Sequence, residues 1–287
     1  MPFLRSAAAG LPRLTDRLPL GDAGLSVSPF CLGAVDDPDL VPFAFDAGIN
    51  FFFLSADLHW PFYEGLRRGL ALLFARGGGV RDEVVVAICS YCTQPEFPVG
   101  ATREAIDAVP GLERADVAVA GGAYGRELLG RYRVFERMRK ERHLGTQAIG
   151  ASFHDRQAAA AATQHGLFDV SYARYNAVHP GARTDLFPYL RPGSPTLLYN
   201  FTTTRGYIPD DAWQRLAPPD DTWHPTVTDQ YRFAFARPEI DGLLVSFGQR
   251  AHVTALMQAL DRGPLSPEEE RQMLDLGRRV RSTSPGA

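Results

Sequence analysis

The residues best equipped for chemistry in this chain follow short apolar runs. The stretch GINFFFLSADLHW, residues 48–60, passes from a turn through an apolar run and delivers His59 beside Trp60. An imidazole can give or take a proton near neutrality. Many barrel enzymes keep a carboxylate at the end of such a run, yet here the run ends on Leu54. Tyr91 and Tyr124 close two later apolar segments and can donate a proton from a phenol, so His59, Tyr91 and Tyr124 form the candidate catalytic set. CSYC supplies Cys89 and Cys92, and His154 follows a further run. Sulfur and imidazole converging on one mouth could hold zinc, but a lone CxxC is a weak signal. Residues 89 and 92 would also point to opposite faces of a strand running through them, so no metal is expected.

Side chains this far apart in sequence can meet only if a regular scaffold carries them to one end. The chain alternates short apolar runs with amphipathic stretches, the pattern of β-α units around a parallel sheet. Eight strands are expected near Cys31–Val35, Asn50–Leu54, Val84–Tyr91, Asp116–Gly121, Gln147–Ser152, Asp169–Tyr175, Thr196–Phe201 and Gly242–Phe247. LPLGDAGLSVS ahead of them reads as a hairpin. Between the strands, PFYEGLRRGLALLF, TREAIDAV, ELLGRYRVFERMRKERH, RQAAAAATQHG and HVTALMQALDR carry apolar residues at helical spacing, several stopped by Gly or Pro. The run ERMRKER reads as a solvated helix face. Eight such units predict a (β/α)8 TIM barrel with an N-terminal β-hairpin, its site at the C-terminal ends of the strands. A doubly wound sheet would announce a Gly-rich turn after its first strand, and CLGAVDD is not GxGxxG. The most loop-like stretch, PPDDTWHPT at 218–226, falls between the seventh and eighth strands and reads as an insertion, so residues 1–287 are expected to form a single domain.

Composition narrows the partners. A net charge of −3 gives no electrostatic reason to expect nucleic acid or an anionic membrane, which leaves a small molecule as the expected partner. MPFLRSAAAGLPRL is broken by Pro2 and Pro12, and no run approaches the roughly 18 apolar residues of a span, so the expected location is cytoplasmic. Three cysteines, Cys31, Cys89 and Cys92, cannot all pair with one another, and free thiols are expected.

Six segments in order, LGDAGLSVSPFCLG, AFDAGINFF, RDEVVVAI, LGTQAIGASF, ARYNAVHPGA and LLVSFGQRAHVTALMQAL with GPLSPEE, together resemble the aldo-keto reductase superfamily over almost the whole chain. The resemblance implies a (β/α)8 barrel that binds NADP(H) and reduces carbonyls with an Asp, a Tyr, a Lys and a His at strand ends. Laid on that pattern, the Asp becomes Leu54, the Tyr His59, the Lys Cys89 and the His Gly121. The only lysine is Lys140, in a basic helical run, so no shift of alignment restores that group. Removing one electrostatic contributor of this kind costs ~10²–10³ in rate, so replacing all four is expected to leave little of the family's usual reaction.

The cofactor cradle is half kept. Under the resemblance, Ser152 represents half of the Ser-Asn pair that grips the nicotinamide amide, with Phe153 in the place of the Asn, and Tyr172 stands for a Gln. Phe201 is the expected stacking aromatic, and Thr202, Thr204 and Arg205 of TTTRG are offered to a pyrophosphate. Gly248 and Arg250 resemble the loop that holds the adenosine phosphate. The expectation is therefore a divergent oxidoreductase on a small molecule, using NADP with altered chemistry. The alternatives are a non-redox enzyme (lyase, isomerase or cyclase) on the same barrel, or a catalytically silent ligand-binding barrel.

Overall fold

The computed structural model describes residues 10–190, 194–204, 207–216, 218–219 and 221–283. Two short strands, β1 (Leu18–Leu20) and β2 (Leu25–Val27), pair antiparallel as the expected hairpin. Eight more follow: β3 (Phe30–Leu32), β4 (Phe51–Ser55), β5 (Val85–Ser90), β6 (Val117–Ala120), β7 (Ala148–Phe153), β8 (Val170–Arg174), β9 (Leu197–Phe201) and β10 (Gly242–Val245). They pair in parallel in chain order, and β10 closes on β3 to complete a barrel. Every expected strand is present, with ends shifted by up to three residues.

Side-chain alternation divides the core into two layers. Cys31, Phe51, Phe53, Val85, Ala87, Cys89, Val117, Val119, Tyr172 and Tyr199 fill the barrel interior. Phe52, Leu54, Val86, Ile88, Ala118, Ala120 and Ile149 face the helices outside it. This parity corrects the expectation for Leu54: it packs in the outer layer, and Phe53 is the inward residue at the end of β4. Leu54 therefore does not occupy the position of a mouth carboxylate.

The five helices expected from periodicity appear at Glu64–Phe74, Phe97–Asp107, Leu128–Lys140, Arg156–Gln164 and Arg250–Asp261, and a last helix follows at Pro267–Thr283. Of the further helices, none of them expected, Leu40–Asp46 and Val227–Phe235 are the longest. VTDQYRFAF is buried on nearly all sides, polar residues included, and its β-branched and aromatic residues are mediocre helix formers. A capping box between Thr226 and Asp229 starts it, at the end of the loop-like stretch PPDDTWHPT. The last helix packs closely outside the barrel: a Cβ on Gly277 would lie 2.1 Å from the Ala177 carbonyl oxygen.

The hairpin seals the base. Leu20 and Val27 join the interior cluster, and the Tyr199 hydroxyl donates to the Ser28 carbonyl at 2.6 Å. The same end carries a device repeated at alternate strands. The residue just ahead of β4, β6, β8 and β10 accepts a backbone N–H from the preceding strand or its lead-in. Asn50 takes that of Ser28 at 2.7 Å, and Asp116, Asp169 and Asp241 take those of Val86, Ile149 and Leu198 at 2.8 Å. Asp116 also binds Arg81 and Arg114, each at 2.9 Å. Arg139, from the run expected to be a solvated face, binds Asp169 at 3.0 Å instead. Among the described residues, no helix is long and apolar enough to cross a membrane.

Candidate functional site

At the C-terminal ends of the strands a cavity of about 350 Å³ opens into the barrel. Strand parity decides what lines it. Phe53, Ser152, Tyr172, Phe201 and Leu244 belong to the inward set, and beyond the strand ends His59, Tyr63, Tyr91, His154 and Arg174 join them.

The wall above β4 and β5 is organised by Asp57. Its carboxylate accepts from the Ser90 hydroxyl at 2.7 Å, the Tyr91 N–H at 2.9 Å and the Leu58 N–H at 2.6 Å. Burial alone would raise its pKa, but these hydrogen bonds outweigh it and hold the carboxyl below the usual range. The oxygens of Asp57 are thus spent on joining two loops. This anchoring presents His59, whose ring stands edge-on to Tyr91 with centroids 5.1 Å apart. Tyr91 in turn lies where a side chain on Gly121 would be: a Cβ there would come within 2.8 Å of both the Tyr91 ring and the Cys89 sulfur. Gly121, the position that resembles the family's His, is small because Tyr91 fills its space. Burial, with Cys89 adding to it, pushes the Tyr91 phenol well above its ordinary range, and burial does the same for Tyr63. Both stay neutral at physiological pH. Behind this wall the buried Arg131 donates to the carbonyls of Gly121 and Ser90, fixing the ends of β5 and β6.

The opposite wall is built on β7, β8 and β9. The Ser152 hydroxyl accepts the Gly122 N–H at 2.9 Å. Nδ1 of His154 faces the Arg174 guanidinium at 3.4 Å. A guanidinium can only donate, so Nδ1 accepts and the ring proton sits on Nε2. Burial first, then the positive field of Arg174 and of His59, lowers the His154 pKa and keeps the ring neutral at pH 7. The Phe201 ring packs edge-on to His154 at 5.5 Å, and the Arg174 guanidinium carbon lies 5.7 Å from the Phe201 centroid. Thr202 adopts a left-handed φ of 57° and is held there by Asn176, which donates to its carbonyl at 2.9 Å. With Thr203 and Thr204 it forms a hydroxyl-bearing rim. Tyr172 floors the cavity, fully buried.

The cavity therefore brings together His59, Tyr91, Ser152, Phe201, Thr202 and Thr204 from the sequence-based set. Tyr124 is not among its lining residues and is exposed. Gly248 and Arg250 also lie outside it. The Gly248 N–H is donated to Nδ1 of His252 at 3.3 Å, and Arg250 sits over the Phe43 ring, 3.9 Å from Asp39. Arg205 falls outside the described residues. Cys89 is buried beneath Tyr91, its thiol pushed up by burial, and Cys92 lies outside the cavity. Among the described residues no group of three or more His, Cys, Asp or Glu side chains is placed to hold a metal. Lys140 is exposed on its helix and paired with Glu136 at 3.2 Å.

Sequence reasoning missed Asp57, Tyr63 and Arg174 and did not connect His154 to a cation. The signal for Arg174 was present: two residues beyond inward-facing Tyr172, alternation turns it into the mouth.

The sequence matches no protein-family model and no curated protein. The structure, however, is similar to solved aldo-keto reductases. One from Bacillus halodurans, in its holo form, shares 14% identity with a TM-score of 0.70, covering 91% of this chain and 96% of that one. The apo form of the same enzyme gives 0.66 at 15% identity, covering 91% and 96%. A thermostable aldo-keto reductase in complex with the inhibitor epalrestat gives 0.68 at 13% identity, covering 91% and 99%. Identity this low speaks for the shape of the chain alone. That shape is a (β/α)8 barrel with an N-terminal hairpin, similar in fold to these aldo-keto reductases.

Proposed function

We propose that the barrel mouth is the active site of a divergent, aldo-keto-reductase-like oxidoreductase acting on a small molecule with NADP(H). The observation that carries this reading is the composition of one cavity. Ser152, Phe201, Thr202 and Thr204 line it on the β7 and β9 side, while His59 and Tyr91 line it on the β4 and β5 side.

The residues fit the nicotinamide half of the cofactor: Phe201 offers a ring to the cavity and Ser152 a hydroxyl, beneath a rim of threonines. On the phosphate side, Gly248 and Arg250 are exposed and lightly engaged, so a phosphate could compete for both. When bound, NADP(H) would supply the hydride. His59 would deliver the proton to the carbonyl oxygen, a role its ring can perform without the absent lysine. Tyr91 holds that ring edge-on, Asp57 fixes the loop that carries it, and the aromatic wall limits water. Titration with NADPH, followed by protein fluorescence, is expected to saturate below millimolar cofactor. No change at about 1 mM would remove the redox reading.

A non-redox enzyme on the same mouth is the second reading. Gly248 and Arg250 lie outside the cavity lining, which favours it, because a ligand confined to the cavity would not need them.

A further inference from the structure

Helix Val227–Phe235, which joins β9 to β10, is firmly anchored. The carboxylate of Asp229 is buried and accepts from the Thr226 hydroxyl at 2.7 Å, Arg232 at 2.8 Å and Arg262 at 3.0 Å, while Phe233 stacks on Tyr175 with ring centroids 5.3 Å apart. Tyr231 therefore lines the cavity from a fixed position. It is 5% exposed, and among the described residues its hydroxyl has no hydrogen-bond partner. Buried tyrosines away from the mouth behave otherwise: the Tyr175 hydroxyl accepts from Arg183 at 2.9 Å, and the Tyr199 hydroxyl donates to the Ser28 carbonyl at 2.6 Å. A buried hydroxyl left alone pays its desolvation without return, so one that lines a cavity points to an acceptor brought by the ligand. No aspartate or glutamate is among the described lining residues to accept from it instead. Burial pushes the phenol up, which keeps it a donor at every ordinary pH. His59 reaches the same cavity from the loop after β4, with β3 standing between β4 and β10, so the two donors come from separate walls. Phe53, Tyr63 and Phe201 supply flat apolar surface to the space they share.

We infer that Tyr231 is a specificity-determining residue whose hydroxyl donates to a second oxygen acceptor of the substrate, carried on the same flat body as the carbonyl that His59 serves. The inference rests on the functional reading above and deepens it by naming the substrate class: a planar carbonyl compound with a further carbonyl or ether oxygen. Aromatic walls take a planar body by stacking and burial. The fixed hydroxyl then sorts such bodies by whether an acceptor meets it, since a donor left unanswered in a closed site is penalised.

The test uses the full-length protein and two probes of nearly equal shape, 1,4-diacetylbenzene and 4-ethylacetophenone, which differ by one carbonyl oxygen, with binding followed by calorimetry. Tyr231→Phe keeps the ring and should weaken 1,4-diacetylbenzene about three- to tenfold while leaving 4-ethylacetophenone within about twofold. Thermal unfolding without ligand gives a second readout. Tyr231→Phe should hold or raise the midpoint, because it removes an unpaired hydroxyl, whereas Tyr175→Phe should lower it by breaking the bond to Arg183. An equal loss of both probes overturns the inference, as does undiminished binding of 1,4-diacetylbenzene by folded Tyr231→Phe. A midpoint lowered as far by Tyr231→Phe as by Tyr175→Phe also overturns it, because the hydroxyl would then be paired within the protein. So does a lack of binding by both probes at about 10 mM. A separate NADPH titration tells the two readings apart. Loss of 1,4-diacetylbenzene alone in Tyr231→Phe, without NADPH binding, leaves the role of Tyr231 standing and removes the redox function, and NADPH binding without that selective loss does the reverse.

Discussion

The two ends of the barrel treat their polar groups in opposite ways. At the base, Asp116 is 1% exposed and its two oxygens meet Arg81, Arg114 and the Val86 N–H, all within 2.9 Å. Asn50, Asp169 and Asp241 do the same service for the other strand pairs. At the mouth, the contact between His154 and Arg174 is long, at 3.4 Å, and the His59 ring stands edge-on to Tyr91. One end therefore uses charge and hydrogen bonding to join strands, and the other, beyond the Asp57 and Arg131 bonds that fix its loops, lines a cavity with His59, His154 and Arg174. This is the division expected of a barrel whose base serves stability and whose upper loops serve chemistry.

Substitutions at each end should separate these roles, beginning with the base. Asp116→Ala leaves Arg81 buried without its carboxylate and takes an acceptor from β5, so a loss of about 3–5 kcal/mol is expected in denaturant unfolding. His59→Ala at the mouth should instead cost ~10²–10³ in kcat with the substrate in hand, and little in stability. Full turnover in His59→Ala would pass the donor role to Tyr91 and break the functional half of the contrast.

Gly121→Ala sharpens the contrast, since it places a packing defect inside the mouth. The new methyl would collide with Tyr91 and Cys89, and about 1–3 kcal/mol of destabilisation is expected. Adding Tyr91→Ala should recover part of it, which a double-mutant cycle would measure as non-additivity. A smaller effect should follow acidification. Because the Asp57 carboxyl is held below its unfolded value, its stabilisation is complete above the ordinary carboxylate range and is lost as pH falls through its lowered pKa. Asp57→Asn should thus flatten the acid side of a plot of thermal midpoint against pH, measured down to about pH 3. Smallest of all in stability is Arg250→Ala. Its ion pair with Asp39 is 3.9 Å long and exposed, so unfolding should change by less than about 0.5 kcal/mol while NADPH affinity falls. An unchanged affinity would take Arg250 out of the cofactor site.

Periodicity by itself determined the scaffold of this protein. Apolar runs such as VVVAICS and FDVSYA are too short and too rich in β-branched or aromatic residues to be helices, and their regular alternation with amphipathic stretches leaves a barrel as the economical closure. The sequence likewise determined that no lysine serves the mouth, because Lys140 is alone. Which residues face inward was decided only by the tertiary structure. A strand's two faces differ by a single residue of register, so an ungapped alignment put Leu54 at the mouth, while the pleat turns Phe53 there and sends Leu54 to the helices. Helix Val227–Phe235 was illegible for another reason: its Val, Thr, Tyr and Phe residues are mediocre helix formers, and tertiary burial of nearly the whole segment overrides that local preference. The meeting of His154 with Arg174, and of Asp57 with Ser90 and Tyr91, joins residues 20 to 34 positions apart. Only closure of the barrel brings such strand ends together, so no local pattern could announce them.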